Sequence, residues 1–449
     1  MTANLSTPPH HQPVRASTAA FIGTMIEWYD FYIYATAAAL VFGTLFFPTV
    51  DSFIGTLAAF ATFAVGFFAR PLGGAVFGHI GDRVGRKKSL IITLSMMGLT
   101  TVLVGLLPTY HQIGVWAPVL LVALRFIQGI AVGGEWGGAV LMAGEHAPSR
   151  QRRTFFASFA QLGSPAGLIL SMLVFKLVTT LDDDAFMSWG WRIPFLLSAL
   201  LLVIGFVIRM SVNESPEFLA NQREEAARRK DGRQRPAKAP IVEVFRKAPR
   251  ILAWAVCANV LGIAGFYFTN TFMIAYTTQY VGLDRALILD CLLVVSIVQF
   301  CIQPLAAWLA ERIGVKRFLM LVSAISMLTP YLMFTLVDSG TLFGIIVGVS
   351  VSVIFMASFY SAIAGFVTGI FPTAVRYTGI SMAYQLSGAI FGGLTPIVGT
   401  VLAENFRGQW WPLALLFSLI SLLSLVAVSR LSEQDAQPVV QRRPRQALG

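Results

Sequence analysis

Glu27 and Asp30 stand three residues apart inside the apolar stretch GTMIEWYDFYIYATAAALVFGTLFFP at 23–48, and Arg125 and Glu135 stand ten apart in another, 116–146. Carboxylates at that spacing share one face of a helix. A carboxylate taken out of water must meet a cation, face a watery cavity or bind a proton. An arginine in the same surroundings offers a planar fork that grips a carboxylate with two parallel bonds. The chemistry these residues could do is proton uptake and release beside a guanidinium able to hold an anion.

The elements that must position them follow from composition. Of 449 residues 56% are hydrophobic and 12% charged, about half the roughly 25% charged share of soluble domains. Apolar runs long enough to cross a hydrocarbon core, about 20 residues each, recur at 17–46, 52–80, 87–107, 116–146, 152–180, 190–212, 248–280, 284–311, 316–337, 340–371, 376–404 and 409–431. Barrel strands would read as alternating segments of about ten residues, so the expected fold is an all-α integral membrane protein with twelve transmembrane helices. From an N-terminus near Ser17, a rise of 1.5 Å per residue carries Glu27 and Asp30 roughly 15–20 Å along the first helix, near mid-bilayer. Arg125 falls about 13 Å into the fourth span and Glu135 about 15 Å beyond it.

The net charge of +11 is accounted for by where the basic residues fall. Arg285 and Arg407 alone lie in odd-numbered loops, and Arg70, Arg125, Lys176 and Arg192 within or at the edges of spans. Under the positive-inside rule both termini are cytoplasmic, and no nucleic-acid partner is needed to explain the charge. The first apolar run lacks the short core and small-residue cleavage site of a removable signal. Cys257, Cys291 and Cys301 have no metal-ligand spacing and read as packing thiols. One change of character divides the chain: NQREEAARRKDGRQRPAKAP lies in a charged stretch, 213–247, with six spans on each side. The expected organisation is an N-terminal arm 1–16, a bundle 17–212, a cytoplasmic linker 213–247, a second bundle 248–431 and a tail 432–449.

The halves repeat. GDRVGRKKSL (81–90) is matched by AERIGVKRFL (310–319), and PSRQRRTFFASFAQL (148–162) by PTAVRYTGISMAYQL (372–386), aligning Pro148 with Pro372, Arg152 with Arg376, Thr154 with Thr378 and Gln161 with Gln385. Two parallel six-span repeats place a solute site between them near mid-membrane. These residues carry a family resemblance. GHIGDRVGRKKS (78–89), RFIQGIAVGGEWGGA (125–139) and NESPEF (213–218) resemble signatures of the major facilitator superfamily. EWYDFYIY, GGEWGGA and WGWRIPF (189–195) together resemble its metabolite:proton symporter branch, whose members carry shikimate, α-ketoglutarate, citrate or proline and betaine. The resemblance implies two six-helix bundles related by a pseudo-two-fold axis, a cavity lined by helices one, four, seven and ten, a bacterial inner-membrane location and a monomer.

Candidate residues then fall into three groups. Asp30 first, with Glu27 and Glu135, is expected to couple protons. Arg125 is expected to bind the solute's carboxylate, with Tyr32, Gln128, Trp136, Tyr267, Asn270, Tyr384 and Gln385 as further contacts. Asp82, Arg83, Arg86, Arg152, Glu311, Arg312 and Arg376 are expected to form a cytoplasmic gate in which Asp82 accepts bonds from a helix terminus or from Arg152. Plainer alternatives stay open: a structural Asp30–Arg125 tie, loop charges that serve topology alone, and, for Gly129, Gly133 and Gly137, close helix packing.

The expected function is proton-coupled symport of a small organic acid by alternating access, with a small molecule and protons as partners, no metal, and no cofactor beyond the proton gradient. No Gly-Lys pair could found a phosphate loop and no H-E-x-x-H is present. A channel, an osmolyte carrier and a proton antiporter remain as alternatives, although the tail after 431 is short and lacks the heptads of the family's osmosensing members.

Overall fold

The computed structural model describes residues 12–48, 52–230, 240–282 and 285–432, and every regular element among them is helical. A chain in hydrocarbon must satisfy its backbone N–H and C=O groups within itself, and the helix does this one segment at a time. Among the described residues nine helices are long and apolar enough to cross a membrane, and two bent pairs pass the same test as broken spans. The 32-residue helix Ser52–Arg83 completes the twelve. The spans are α1 (13–46), α2 (Ser52–Arg83), α3 (Arg86–Leu106), α4 (Trp116–Glu145), α5 (Arg150–Val178), α6 (Gly190–Met210), α7 (249–279), α8 (Arg285–Ile313), α9 (315–337), α10 (Leu342–Val367), α11 (Arg376–Asn405) and α12 (Trp411–Arg430). Phe68, Leu177, Val207, Leu328 and Phe343 are each more than half exposed on their outer surface, as expected where the neighbour is lipid.

Within the first six spans α1 packs on α5, and α2 and α3 on α4; within the last six α8 and α9 pack on α10. Between the two sets α2 meets α11, and α5 meets α8 and α10. Small residues permit the closest of these approaches. A Cβ on Gly73 would lie 1.9 Å from the Ile130 carbonyl oxygen, and one on Gly133 2.1 Å from that of Arg70. The glycine stripe of α4 is thus a backbone-to-backbone seam with α2, while Gly137 faces Ser381 of α11 across the bundle interface.

The repeat is visible at the turns. Gly85 between α2 and α3 and Gly314 between α8 and α9 take φ of 129° and 98°, values that side chains with a Cβ rarely adopt. The charged stretch between the bundles carries two helices, Pro216–Lys230 and Pro240–Lys247, on one face of the molecule; this is called the linker face below. α1 begins at Pro13, inside the stretch expected to be arm, because proline at the first helical position starts a helix without losing a bond. Residues 1–11 and 433–449 lie outside the described residues.

Candidate functional site

Asp30 is wholly buried within the first bundle. Its Oδ2 accepts from Thr101 of α3 at 2.6 Å and its Oδ1 from Ser198 of α6 at 2.7 Å. Thr101 in turn accepts from Gln128 Nε2 at 2.7 Å, and Gln128 Oε1 accepts from Arg125. Arg125 therefore reaches Asp30 through two intervening side chains, with its guanidinium 4.1 Å from the ring centroid of Tyr34. A hydroxyl either donates to a carboxylate or accepts from a carboxylic acid. Thr101 also lies 3.0 Å from the Met97 carbonyl, a second acceptor for its proton. The setting of Asp30 thus keeps its partners in either protonation state.

Glu135 is held differently. It pairs with Arg209 of α6 and accepts from Thr93 at 2.7 Å, and Gly23 of α1 leaves room for that pair. Glu27 is buried one turn from Asp30, its Oε2 without a hydrogen-bond partner, with Arg70 of α2 and Arg209 of α6 as the cations in its electrostatic neighbourhood.

Between the bundles lies a narrow cavity walled by Trp28, Phe67 and Arg70 from the first and by Tyr267, Tyr360, Tyr384 and Gln385 from the second. It has room for little more than one water. Trp136 stacks on Tyr384 with centroids 3.8 Å apart, and the Tyr360 and Tyr384 hydroxyls are 2.8 Å apart. α7 and α11 each make one wide π-helical turn, Tyr267–Phe272 and Gly388–Gly392, beginning at this wall. Below it two glutamines cross between the bundles. Gln161 donates to the Tyr360 carbonyl at 2.8 Å, and Gln385 to the Gly133 carbonyl at 3.1 Å. Among the described residues no cluster of His, Cys, Asp or Glu could hold a metal.

The linker face is closed by two related carboxylates. Asp82, at the end of α2, accepts from the backbone N–H groups of Tyr377 and Thr378 at 3.1 and 3.0 Å and from the Thr378 hydroxyl at 2.8 Å. Its repeat counterpart Glu311, at the end of α8, accepts from the Phe155 N–H at 2.7 Å and lies 3.8 Å from Arg152. Each carboxylate thus meets the N-terminus of a helix in the other bundle, where exposed N–H groups and the helix dipole favour negative charge. The linker adds a third tie. Glu217 pairs with both Arg153 of α5 and Arg376 of α11, Glu145 lies 3.4 Å from Arg376 and 3.6 Å from Arg86, and Glu214 accepts from the Arg86 and Lys87 N–H groups at 3.0 and 3.2 Å. Burial alone would raise the Glu217 pKa, but the guanidiniums of Arg376 and Arg153 outweigh it and hold the carboxyl below its usual range.

Two helical bundles, a cavity between them and charge latches at one mouth are the layout of a carrier. The profile of the family described as "Sugar (and other) transporter" matches residues 16–429. The chain belongs to the major facilitator superfamily. This transporter is 38% identical over 425 residues to the shikimate transporter of Escherichia coli K12, covering 94% of this chain and 95% of that one. It is 32% identical over 426 residues to the proline/betaine transporter of the same organism, covering 95% and 84%. Its fold matches the proton:xylose symporter XylE bound to 6-bromo-6-deoxy-D-glucose with a TM-score of 0.72, at 16% identity and over 92% and 94% of the two chains. It is a multi-pass membrane transporter.

In the transporter the expected residues are divided among these places. Tyr267, Tyr384 and Gln385 line the cavity; Tyr32 stands beside it, its ring 5.6 Å from that of Trp28; and Trp136 backs Tyr384. Arg125 and Gln128 do not line the cavity: they lie behind it with Asp30, because α4 turns that face toward α1 and α3. Asn270 folds back on the Phe266 carbonyl of its own helix at 3.2 Å. At the linker face Asp82, Arg86, Arg152, Glu311 and Arg376 enter the latches, and the partner of Arg152 is Glu311 rather than Asp82. Arg83 and Arg312 are exposed, Arg312 against the ring of Trp308.

Several residues of these sites carry no assigned role in the sequence reading. Arg70 meets the same criterion as Arg125, a lone charge in an apolar run, and was available to it. Arg209 sits close enough to a span end to read as a loop charge, and Glu145, Glu214 and Glu217 read as ordinary loop acids. Thr101 and Ser198 give no sequence signal, since hydroxyls are common in membrane helices.

Proposed function

We propose that the transporter imports a small organic acid together with protons, by alternating access. The observation that carries the proton is the setting of Asp30, a buried acid held by two hydroxyls that can accept from it as readily as donate to it. Glu135 is fixed by Arg209 and is the weaker candidate; Glu27 is the second. Similarity to a shikimate transporter supports an acid with a ring, and the aromatic cavity wall suits one.

The linker face is read as cytoplasmic, since the basic loops lie there, and the latched structure is the state closed to the cytoplasm. Asp30 takes a proton from the periplasmic side, the acid enters between the bundles, and the latches part to release both. A single chain holds the whole pathway, and the proton gradient is its driving force without a cofactor. Glycine betaine or proline is the second reading, because the aromatic wall with Glu27 beside it also suits a quaternary ammonium. Arg70 on the same wall favours the acid.

The test is uptake of radiolabelled shikimate, protocatechuate, α-ketoglutarate, citrate, proline and glycine betaine into proteoliposomes, with and without an inward proton gradient. Wild type is expected to accumulate one acid, and Asp30→Asn to lose accumulation while keeping exchange without a gradient. Accumulation that persists in Asp30→Asn moves the proton to Glu27. Uptake of betaine or proline alone selects the second reading, and no uptake of any solute selects export.

A further inference from the structure

Arg70 is a half-buried cation on the wall of the cavity. Asp82, Glu135, Glu145, Glu217 and Glu311 each have an arginine within 4 Å, whereas among the described residues no carboxylate lies that close to Arg70. Its guanidinium packs 4.4 Å from the Phe67 ring centroid and 5.3 Å from that of Phe31. Stacking on rings occupies the faces of a guanidinium and leaves the edge with its N–H fork for an anion. That edge belongs to the wall of the cavity between the bundles, where its partner is the neutral hydroxyl of Tyr267, with Tyr384 and Gln385 also on the wall.

A second observation points the same way. Glu27, 6% exposed, has a carboxylate oxygen with no hydrogen-bond partner, and its electrostatic neighbours include Arg70 as well as Tyr267, Tyr360 and Tyr384 of the cavity wall. A guanidinium with no carboxylate within 4 Å and an acid with one oxygen unpartnered thus stand in one electrostatic neighbourhood beside the cavity, in a place where uncompensated charge is costly.

We propose that Arg70, rather than Arg125, is the residue that takes the substrate's carboxylate, and that the substrate is a small ring-bearing monocarboxylate with hydroxyl groups. Its carboxylate meets the Arg70 fork, its ring lies against Trp28 and Tyr267, and its hydroxyls meet the Tyr384 hydroxyl and the Gln385 amide. This rests on the reading of the protein as an organic-acid carrier. Arg125 donates through one nitrogen to Gln128, has its face against Tyr34, lies outside the cavity lining, and acts on Asp30 instead.

The experiment compares one acid with its uncharged methyl ester. Purified protein in proteoliposomes is assayed for counterflow of the panel acid that wild type exchanges best, with the free acid and the ester as competitors. Wild type is expected to prefer the acid; in Arg70→Gln the preference collapses by about 10- to 100-fold, the range for a lost charge-assisted bond, while Arg125→Gln keeps it. Arg70→Lys retains charge without the fork and falls between, which carries the test if Arg70→Gln does not yield folded protein. A general packing defect would weaken acid and ester alike. Preference that survives in both Arg70 variants overturns the assignment and leaves the organic-acid reading standing. A wild type that does not distinguish acid from ester overturns both.

Discussion

At the scale of single residues, two buried acids of the first bundle have opposite surroundings, and the difference predicts opposite mutational behaviour. Glu135 and Arg209 compensate one another, so Glu135→Ala or Arg209→Ala leaves a buried charge and should cost about 3–5 kcal/mol. The double variant E135Q/R209M should recover much of that loss. Thermal unfolding in detergent checks this: both singles should lower the midpoint more than the double does. Asp30→Asn should be far milder in the same assay, since an amide oxygen still accepts from Thr101 or Ser198, and its defect should lie in coupling. The acids themselves were legible in the sequence, because charge in an apolar run is conspicuous. What each acid binds was not, since Ser198 and Arg209 come from a helix about 170 and 75 residues away along the chain, and nothing local records the pairing.

At the scale of helices, α11 is wedged into the first bundle by Tyr377. Its hydroxyl donates to the Gly134 carbonyl at 2.7 Å; a Cβ on Gly81 would lie 1.8 Å from its ring and one on Gly138 2.1 Å from its hydroxyl oxygen. Gly138→Val should therefore push α11 away and open the linker face without disturbing Asp30. Spin labels at Val84 and Ile313, exposed on opposite bundles, should show a longer distance population in the variant than in wild type. An unchanged distribution would mean that the bundles repack around the new side chain. The glycines of α4 announce close packing in the sequence, but spacing alone does not say which partner each one meets: Gly133 faces α2 and Gly137 faces α11. The twelve helices were legible from apolar length. The wide turns of α7 and α11 were not, for no residue pattern within them departs from an ordinary membrane helix.

At the scale of the whole molecule, the linker joins the bundles by charge as well as by chain. Glu217 has its carboxyl held below the ordinary value of 4.5 while it is paired with Arg153 and Arg376. A depressed carboxylate favours the paired state fully above its free value and loses that effect as pH falls through the depressed one. Closure of the linker face should accordingly be flat from neutral pH down to about 4.5 and weaken below it, and Glu217→Gln should loosen it already at neutral pH. The same spin-label distances followed against pH provide the measurement. The two-fold organisation could be read directly from the aligned motifs, and so could the involvement of Asp82 and Glu311. The role of the linker could not, because its acids stand in a stretch whose composition is that of a solvated connector.

The two carboxylate latches are copies by sequence and unequal by construction. Asp82 grips α11 with three bonds and is almost enclosed, whereas Glu311 holds α5 by one backbone bond and a long contact to Arg152, whose side chain is 53% exposed. A door with a weak catch on one side and a strong one on the other does not lift away evenly; it swings. The α5–α8 seam should separate first while α2 and α11 act as the pivot, so that the linker face opens sideways before it opens fully. A solute leaving by that route would pass along α5, on the side away from Arg70.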